Sequence, residues 1–345
     1  MLRPRPHGSR LALGVIAVMG ILAPCLFSAQ VFKYDKAKPE NGCLIENVPS
    51  EKWLKRNYCG PACLAMVLNY WDETHPFSQR QITEDIFDSE NQATYNSEMV
   101  LYPRRRGFAS YSFQGSLQIL KDVVGKGIPA IVLTKPIRQI AKGHYRVVIG
   151  FDDDRGQVIF HDPFFGSRYA MSFKNFGKVW ELGKGRNQSR WMLAVIPGQS
   201  PFPFPALQDD PLTPINLATA YYRRSDFVRS RKEWGKAREA LAADPYPLYS
   251  LGMISLREGK FAEAEAYARQ AIALDARSAY AHDVLGLAFA KQEKIEPALR
   301  SLEQAQRLAP REKFIRMHYL QVRALRIERA RPMQIKKEKQ NEKTD

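Results

Sequence analysis

The sequence is poor in cysteine and in acidic residues, and after its first 30 residues it has no long hydrophobic run. Four cysteines in 345 residues do not make a disulfide framework. The 52 Lys and Arg outnumber the 36 Asp and Glu, and the resulting net charge of +16 suits anionic partners. Part of this excess lies at the two termini, and no nucleic-acid-binding motif accompanies it. We therefore expect no nucleic acid partner, and no membrane span after residue 30.

The N-terminus is basic and then apolar. Three arginines lie in the first ten residues, and an uncharged run follows from Leu11 to Ala29. This order predicts a signal peptide or membrane anchor over residues 1–30, and it places the rest of the chain in a bacterial cell envelope, on the periplasmic side of the inner membrane. The segment Leu22–Cys25 also resembles a lipoprotein box in which Cys25 would be lipidated. Cleavage, anchoring and lipidation stay open as alternatives, and each except cleavage implies membrane association.

The segment Asn57–Tyr70 places a thiol at the start of a predicted helix. Gly60 permits a tight turn, and Pro61 suits the first turn of a helix. Apolar residues then recur at helical spacing, at Leu64, Val67, Leu68 and Trp71. A helix N-terminus favours the thiolate form of cysteine, which is the nucleophilic form, so the pattern predicts a reactive Cys59. The alternative is that Cys59 is a small buried packing residue.

Cys63 follows Cys59 by four residues on the same predicted helix. At this spacing the two Cβ atoms rarely permit a disulfide, so Cys63 is interpreted as a packing residue. Beyond this helix we predict a short helix from Ser78 to Phe87, a polar loop over residues 88–111 and a helix over Gln114–Val124. The loop contains a basic and aromatic stretch that either lines a substrate cleft or is solvated.

The remainder of this half has the character of strands. Five are predicted, at Ile128–Leu133, His144–Phe151, Gln157–Phe160, Arg168–Phe173 and Arg190–Ile196. The turn Asp152–Gly156 joins the second and third strands into a hairpin. Its aspartates lack the ligand spacing of a calcium loop, so no metal and no cofactor are expected. Helices followed by an antiparallel sheet predict an α+β domain.

A cysteine nucleophile needs an imidazole base and a third group that orients the imidazole. His144 opens one strand of the predicted hairpin and Asp162 closes the other, so both side chains are expected at the same end. His161 is an alternative base. However, neighbouring strand residues point to opposite faces, so His161 and Asp162 are not expected to share a site. The predicted catalytic residues are therefore Cys59, His144 and Asp162.

These motifs resemble the papain-like peptidase domain that removes double-glycine leaders from bacteriocins. The similar stretches are Cys59–Met66, Gly143–Tyr145 and Asp162–Gly166. The resemblance covers about residues 44–197 and implies a papain-like cysteine peptidase fold. It further implies Cys59 as nucleophile, His144 as general base and Asp162 as the orienting carboxylate. The substrate it implies is a peptide or protein, which the family cuts after a pair of small residues.

One position departs from the family pattern. The family carries a glutamine six residues before the cysteine, whose side chain helps to hold the oxyanion, and here that residue is Trp53. The backbone N–H of Cys59 remains as a donor, and Asn57 or Lys55 is a candidate replacement. Loss of one oxyanion donor typically costs about a hundredfold or more in rate. The departure leaves two alternatives, namely an enzyme with another donor or a weak or inactive peptidase-like module that binds a peptide.

The C-terminal half begins with a proline-rich linker over residues 198–214. Beyond it Leu251–Gly252 recurs thirty-four residues later as Leu285–Gly286, together with several alanines at matching positions. This period resembles the tetratricopeptide repeat, a helix pair, and predicts an all-α domain over residues 215–328 that ends in a capping helix. A disordered basic tail is predicted over residues 329–345.

The complete prediction is an exported thiol peptidase whose repeats bind a protein partner or substrate. A repeat region that only covers the peptidase domain is the alternative for that half. Acyl transfer also stays open as a reaction, because a thioester can pass to an amine instead of water.

Overall fold

The computed structural model describes residues 31–135, 143–183, 185, 189–198 and 200–341. The predicted signal or anchor segment 1–30, including Cys25, lies outside the described residues. Within the described part of the chain, no helix is both long and apolar enough to cross a membrane.

The N-terminal half combines an antiparallel sheet with helices, which confirms the predicted α+β class. Its elements are β1 (Phe32–Lys33), β2 (Gly42–Leu44), α1 (Cys59–Trp71), α2 (Gln79–Ile86), β3 (Phe87–Asp88), β4 (Ala93–Thr94), α3 (Asn96–Arg105), β5 (Phe108–Gln114), α4 (Leu117–Gly125), β6 (Ala130–Thr134), β7 (His144–Asp152), β8 (Gln157–Asp162), β9 (Gly166–Ser172), α5 (Phe173–Trp180) and β10 (Trp191–Pro197). The main sheet has the order β1-β9-β8-β7-β6-β10-β5, with β2 paired to one end of β7. The five predicted strands correspond to β6 to β10, and the five strands β1 to β5 were not predicted.

Helix α1 is buried in the middle of this half, where it packs on β7 and β10. Its residues from Cys59 to Leu68 are all buried, as expected for a helix that is apolar on nearly every side. Near its end, the Trp71 indole N–H donates to the Val195 carbonyl at 2.7 Å. This bond ties the last turn of the helix to the sheet. The predicted helix that begins at Cys59 is therefore confirmed.

The loop prediction for residues 88–111 is wrong. This segment contains α3 and the start of β5, and Tyr102 is buried rather than solvated. The helix is difficult to recognise because its buried residues form a continuous run from Ser97 to Pro103 rather than one stripe, and a proline in its last turn suggests a break. The basic stretch that follows is at the surface, where Arg106 forms an ion pair with Asp85 at 2.9 Å.

The C-terminal half is all helical. Its elements are α6 (Pro205–Gln208), α7 (Leu212–Arg223), α8 (Phe227–Ala240), α9 (Pro245–Arg257), α10 (Phe261–Leu274), α11 (Ala279–Lys291), α12 (Ile295–Leu308) and α13 (Lys313–Asn341). Helices α9, α11 and α13 begin at residues 245, 279 and 313, which repeats the predicted period of thirty-four. Gly286 permits close packing of one pair, since a Cβ there would lie 2.6 Å from Leu302 Cγ. The backbone of residues 329–341 is helical, where the sequence predicted a disordered tail.

The proline-rich segment does not behave as an extended linker. Phe202 is 3% exposed and stacks on Tyr111 with ring centroids 4.2 Å apart. Just beyond it, Thr213 exchanges two hydrogen bonds with the Ser112 backbone, at 2.8 and 3.0 Å. Side chains of α7, among them Leu217, belong to the same buried cluster as the sheet. The first repeat helix is therefore part of the core of the N-terminal half.

Candidate active site

Cys59 is the first residue of α1 and is 5% exposed. The first intrahelical hydrogen bond runs from the Ala62 N–H to the Tyr58 carbonyl at 3.1 Å, so the N–H groups of Cys59 and Gly60 lie at the open, positive end of the helix. Gly60 is tightly enclosed, because a Cβ there would lie 2.9 Å from the Thr94 side chain. The local sequence thus leaves backbone N–H groups without intrahelical partners beside a thiol.

His144 lies at the start of β7 and is fully buried. Its Nε2 is 2.9 Å from Asp162 Oδ1, whereas its Nδ1 has no hydrogen-bond partner among the described residues. Burial lowers the pKa of His144, but the charge and hydrogen bond of Asp162 and an interaction with the Cys59 side chain outweigh it, so the pKa is raised. The ring therefore has one nitrogen committed to a carboxylate and the other available to the thiol.

Asp162 ends β8 and is completely buried. Its Oδ1 accepts backbone N–H groups of Phe164 at 2.7 Å and Phe165 at 3.2 Å, in addition to the bond with His144. Its Oδ2 accepts from Arg146 Nε at 2.6 Å. Burial raises the pKa of Asp162, but His144, Arg146 and these hydrogen bonds hold it well below the ordinary value. The carboxylate is therefore ionised at neutral pH.

The structure brings Cys59, His144 and Asp162 together and directs His161 elsewhere. His161 Nε2 is 2.9 Å from the Val48 carbonyl, and its Nδ1 accepts the Arg168 backbone N–H at 3.0 Å. Both ring nitrogens are occupied by backbone groups, and burial lowers the pKa of His161 to about 4. It is therefore a neutral structural residue, in agreement with the expectation that strand neighbours point to opposite faces.

Cys63 lies one turn after Cys59 and is fully buried. Burial and the neighbouring Cys59 and Asp162 raise its pKa well above the ordinary value, so it carries a protonated, packed thiol. Among the described residues, Cys43, Cys59 and Cys63 are all free. This arrangement agrees with the interpretation of Cys63 as a packing residue.

Trp53, which occupies the position of the expected glutamine, lines the site from the side of the imidazole. Its ring meets His144 edge to face with centroids 5.8 Å apart, and it meets Phe164 at 5.4 Å. Gln79 is nearby in the fold, but its amide accepts from the Leu54 N–H at 2.7 Å and donates to the Lys52 carbonyl at 3.0 Å. The Gln79 amide therefore holds the backbone on either side of Trp53 in place.

Asn57 lies two residues before Cys59 in the turn that leads into α1. Its φ of 72° is in the left-handed region, which asparagine adopts more readily than most residues. The turn is closed by a hydrogen bond from the Tyr58 N–H to the Lys55 carbonyl at 3.1 Å. The role of Asn57 as an oxyanion donor stays a prediction.

Sequence reasoning missed Arg146 and Thr134, which also belong to the site. Arg146 follows His144 by two residues on β7 and is 2% exposed. Thr134 is paired with His144 across β6 and β7. The twofold period of a strand, which places residues i and i+2 on one face, could have pointed to Arg146. Within the described residues, no cluster of His, Cys, Asp and Glu suits a metal ion.

Comparisons with known proteins match a part of each half. Residues 45–187 match the Peptidase_C39 like family, and residues 246–278 match the tetratricopeptide repeat. No curated protein sequence matches the chain. Similar solved structures include the first TPR domain of human RPAP3, with 19% identity over 35% of this chain and 95% of that one and a TM-score of 0.33. The Sgt2 TPR domain from Aspergillus fumigatus has 16% identity over 38% of this chain and 85% of that one, with a TM-score of 0.34.

Proposed function

Because the chain joins a peptidase C39-like domain to a tetratricopeptide-repeat region, we propose that it is a cysteine peptidase acting on a peptide or protein. One observation carries the proposal. The buried His144 binds Asp162 through Nε2 at 2.9 Å and leaves Nδ1 for the thiol at the start of α1. A thiol, an imidazole and a carboxylate in this order form the constellation that activates a nucleophilic cysteine.

In the proposed reaction, Cys59 gives its proton to Nδ1 of His144, and its sulfur attacks the carbonyl carbon of the scissile peptide bond. The new C–S bond converts the carbonyl oxygen into an oxyanion. When this intermediate collapses, His144 donates the proton to the leaving amine and a thioester remains. A water molecule that gives a proton to His144 then attacks the thioester, which releases the acid product and restores the thiol.

The oxyanion is proposed to bind at the open end of α1. The Cys59 N–H has no acceptor within the helix there, because the first intrahelical hydrogen bond is donated by Ala62. The partial positive charge of a helix N-terminus favours a negative oxygen there. Asn57 is the proposed second donor, because it adjoins this end in a turn of unusual backbone conformation.

A peptide-binding module without catalysis is a second candidate function. Two observations favour it. Trp53 occupies the position of the oxyanion glutamine of the family, and the Gln79 amide is hydrogen-bonded to backbone groups. In that case the site would hold a peptide with few oxyanion donors and would release it unchanged.

The repeat region is proposed to bind a protein or peptide partner. Support comes from an aromatic row across the first helices of successive pairs, where Tyr249, Tyr280 and Phe314 stack with centroids 5.4 and 5.7 Å apart. Tyr280 and Phe314 are each 38% exposed. We further propose, from the basic and apolar residues 1–30, that the protein works in the cell envelope.

The test compares Cys59 alkylation by iodoacetamide at pH 7 in the full-length protein and in two variants, followed by mass spectrometry of the modified peptide. We expect His144→Gln to slow the reaction by about tenfold or more, because the base that takes the thiol proton is lost. His161→Gln is the matched control and should keep the rate near native. In parallel, a mixture of peptides is incubated with native protein and with Cys59→Ala.

Cleavage that disappears in Cys59→Ala supports the peptidase. If His144→Gln alkylates at the native rate and no peptide is cleaved, the peptidase is refuted. Retention of peptides on the native protein without cleavage would then favour the binding module.

A further inference from the structure

A buried arginine contacts the same carboxylate that binds the imidazole of the site. Arg146 follows His144 by two residues on β7, so the two side chains share a face of the strand. Val147 pairs with His161 in the ladder between β7 and β8, which sets Arg146 opposite Asp162. The Arg146 side chain is 2% exposed, and its charge is therefore almost entirely removed from water.

The guanidinium makes two contacts that connect the carboxylate to the backbone of the histidine. Arg146 Nε donates to Asp162 Oδ2 at 2.6 Å. One terminal N–H of Arg146 donates to the Thr134 hydroxyl, which in turn donates to the His144 carbonyl at 2.9 Å. The four residues form a closed network in which the planar fork of arginine suits the two acceptors.

This network decides which oxygen of Asp162 is available to His144. Oδ2 is occupied by Arg146, while Oδ1 accepts the imidazole and two backbone N–H groups. A carboxylate held in this way can only accept hydrogen bonds, so His144 must carry its proton on Nε2. Nδ1 is then unprotonated in the neutral ring and can take the proton of Cys59.

We propose that Arg146 is a positioning residue of the site: it fixes the ionised Asp162 so that His144 presents an unprotonated Nδ1 to Cys59. The inference rests on the proposed peptidase function for its catalytic meaning. The arrangement itself, a tautomer imposed by a buried ion pair, is measurable without catalysis.

A purely structural ion pair is the competing explanation, because Arg146 also lies over the Phe160 ring at 5.4 Å and contributes to the packing there. The two explanations differ in what they predict for the imidazole. A structural role changes stability but leaves the tautomer and the reactivity of the thiol as they are.

The experiment uses the full-length protein and the variants Arg146→Met, Arg146→Lys and Arg104→Met. Methionine keeps the apolar stem without the charge, and lysine keeps the charge without the fork. Arg104 is the matched control, since its guanidinium bonds the Ser110 hydroxyl and carbonyl at 3.0 and 2.6 Å in another part of the fold. The readouts are the nitrogen chemical shifts of the His144 ring, assigned with His144→Gln, and the rate of Cys59 alkylation by iodoacetamide.

We expect Arg146→Met to populate the Nδ1–H tautomer of His144 and to slow alkylation by about tenfold or more, as misplacement of a reacting group does. Arg146→Lys should give an intermediate rate, and Arg104→Met should match the native protein in both readouts. A native tautomer and rate in Arg146→Met would overturn the proposal.

If Arg146→Met does not fold, Arg146→Lys decides. The single ammonium group of lysine does not reproduce the guanidinium fork that donates to both Asp162 and Thr134. A native alkylation rate and a native His144 tautomer in Arg146→Lys would therefore also overturn the proposal. Failure of the peptidase has a different signature. If the peptidase proposal fails, the native protein and His144→Gln are alkylated at the same rate. The tautomer of His144 in Arg146→Met still shows in that case whether Arg146 positions the imidazole.

Discussion

Replacement of His161 should change how the stability of the protein depends on pH. His161 is 4% exposed, and it bonds the Val48 carbonyl and the Arg168 N–H through its two ring nitrogens. Protonation would place a charge in a buried position and would turn the nitrogen that accepts from Arg168 into a donor. Burial therefore lowers the pKa of His161 from 6.5 to about 4.

The sign follows from the lowered pKa. Between pH 6.5 and pH 4 the unfolded chain binds a proton at His161 and the folded chain does not, so acid favours the unfolded state. At about 1.4 kcal/mol for each pH unit, this difference removes about 3 kcal/mol of stability by pH 4. His144 has a raised pKa, so in this window it is protonated in both states and does not contribute. Asp162 has a lowered pKa and loses its contribution only below about pH 3.8.

The assay is urea unfolding, followed by tryptophan fluorescence, of the native protein and of His161→Gln at several pH values from 7.5 to 4.5. The glutamine side chain cannot titrate and keeps a donor for the Val48 carbonyl. We expect the variant to be less stable at pH 7.5, and the difference in free energy of unfolding to stay nearly constant down to about pH 6.5 and then to shrink towards pH 4.5. A difference that stays constant across this range would refute the reasoning.

Three substitutions elsewhere test the packing. Gly286→Ala should destabilise the repeat region by about 1–3 kcal/mol, because the new Cβ would lie 2.6 Å from Leu302 Cγ. Gly235→Ala, at a helical position with nothing within 4 Å of the new Cβ, should instead stabilise it by about 0.5–1 kcal/mol. Phe202→Ala should cost about 3–5 kcal/mol, because this ring is buried and stacked on Tyr111. Denaturant unfolding of each variant measures all three, and equal effects of the two glycine substitutions would contradict the packing argument.

Much of the candidate site could be predicted because its residues lie at the ends of regular elements. Gly60 and Pro61 indicate the start of a helix, so Cys59 is expected at the N-terminus of that helix. The turn Asp152–Gly156 joins two strands whose far ends carry His144 and Asp162. Such features depend on a few neighbouring residues, so they can be read locally.

The buried ion pair was not predictable in the same way. Arg146 in a strand is ordinarily interpreted as a solvated side chain, and only the partners on β6 and β8 make its burial favourable. Trp53 likewise contacts His144 because its loop is held by a hydrogen bond to Gln79, and both His144 and Gln79 are distant from Trp53 in sequence. Contacts of this kind depend on which surfaces meet, and local patterns do not contain that information.

The sequence by itself determined the class of each half, the helix that begins at Cys59 and the thirty-four-residue period, because these follow from short-range spacing of apolar residues, glycines and prolines. Only the tertiary structure decided that Phe202 and the first repeat helix join the core of the sheet domain, and that Arg146 lies behind the imidazole. Both outcomes depend on contacts with residues far along the chain. The free energy of burying a side chain depends on the groups that it meets in the folded structure, and its neighbours in sequence do not determine those groups.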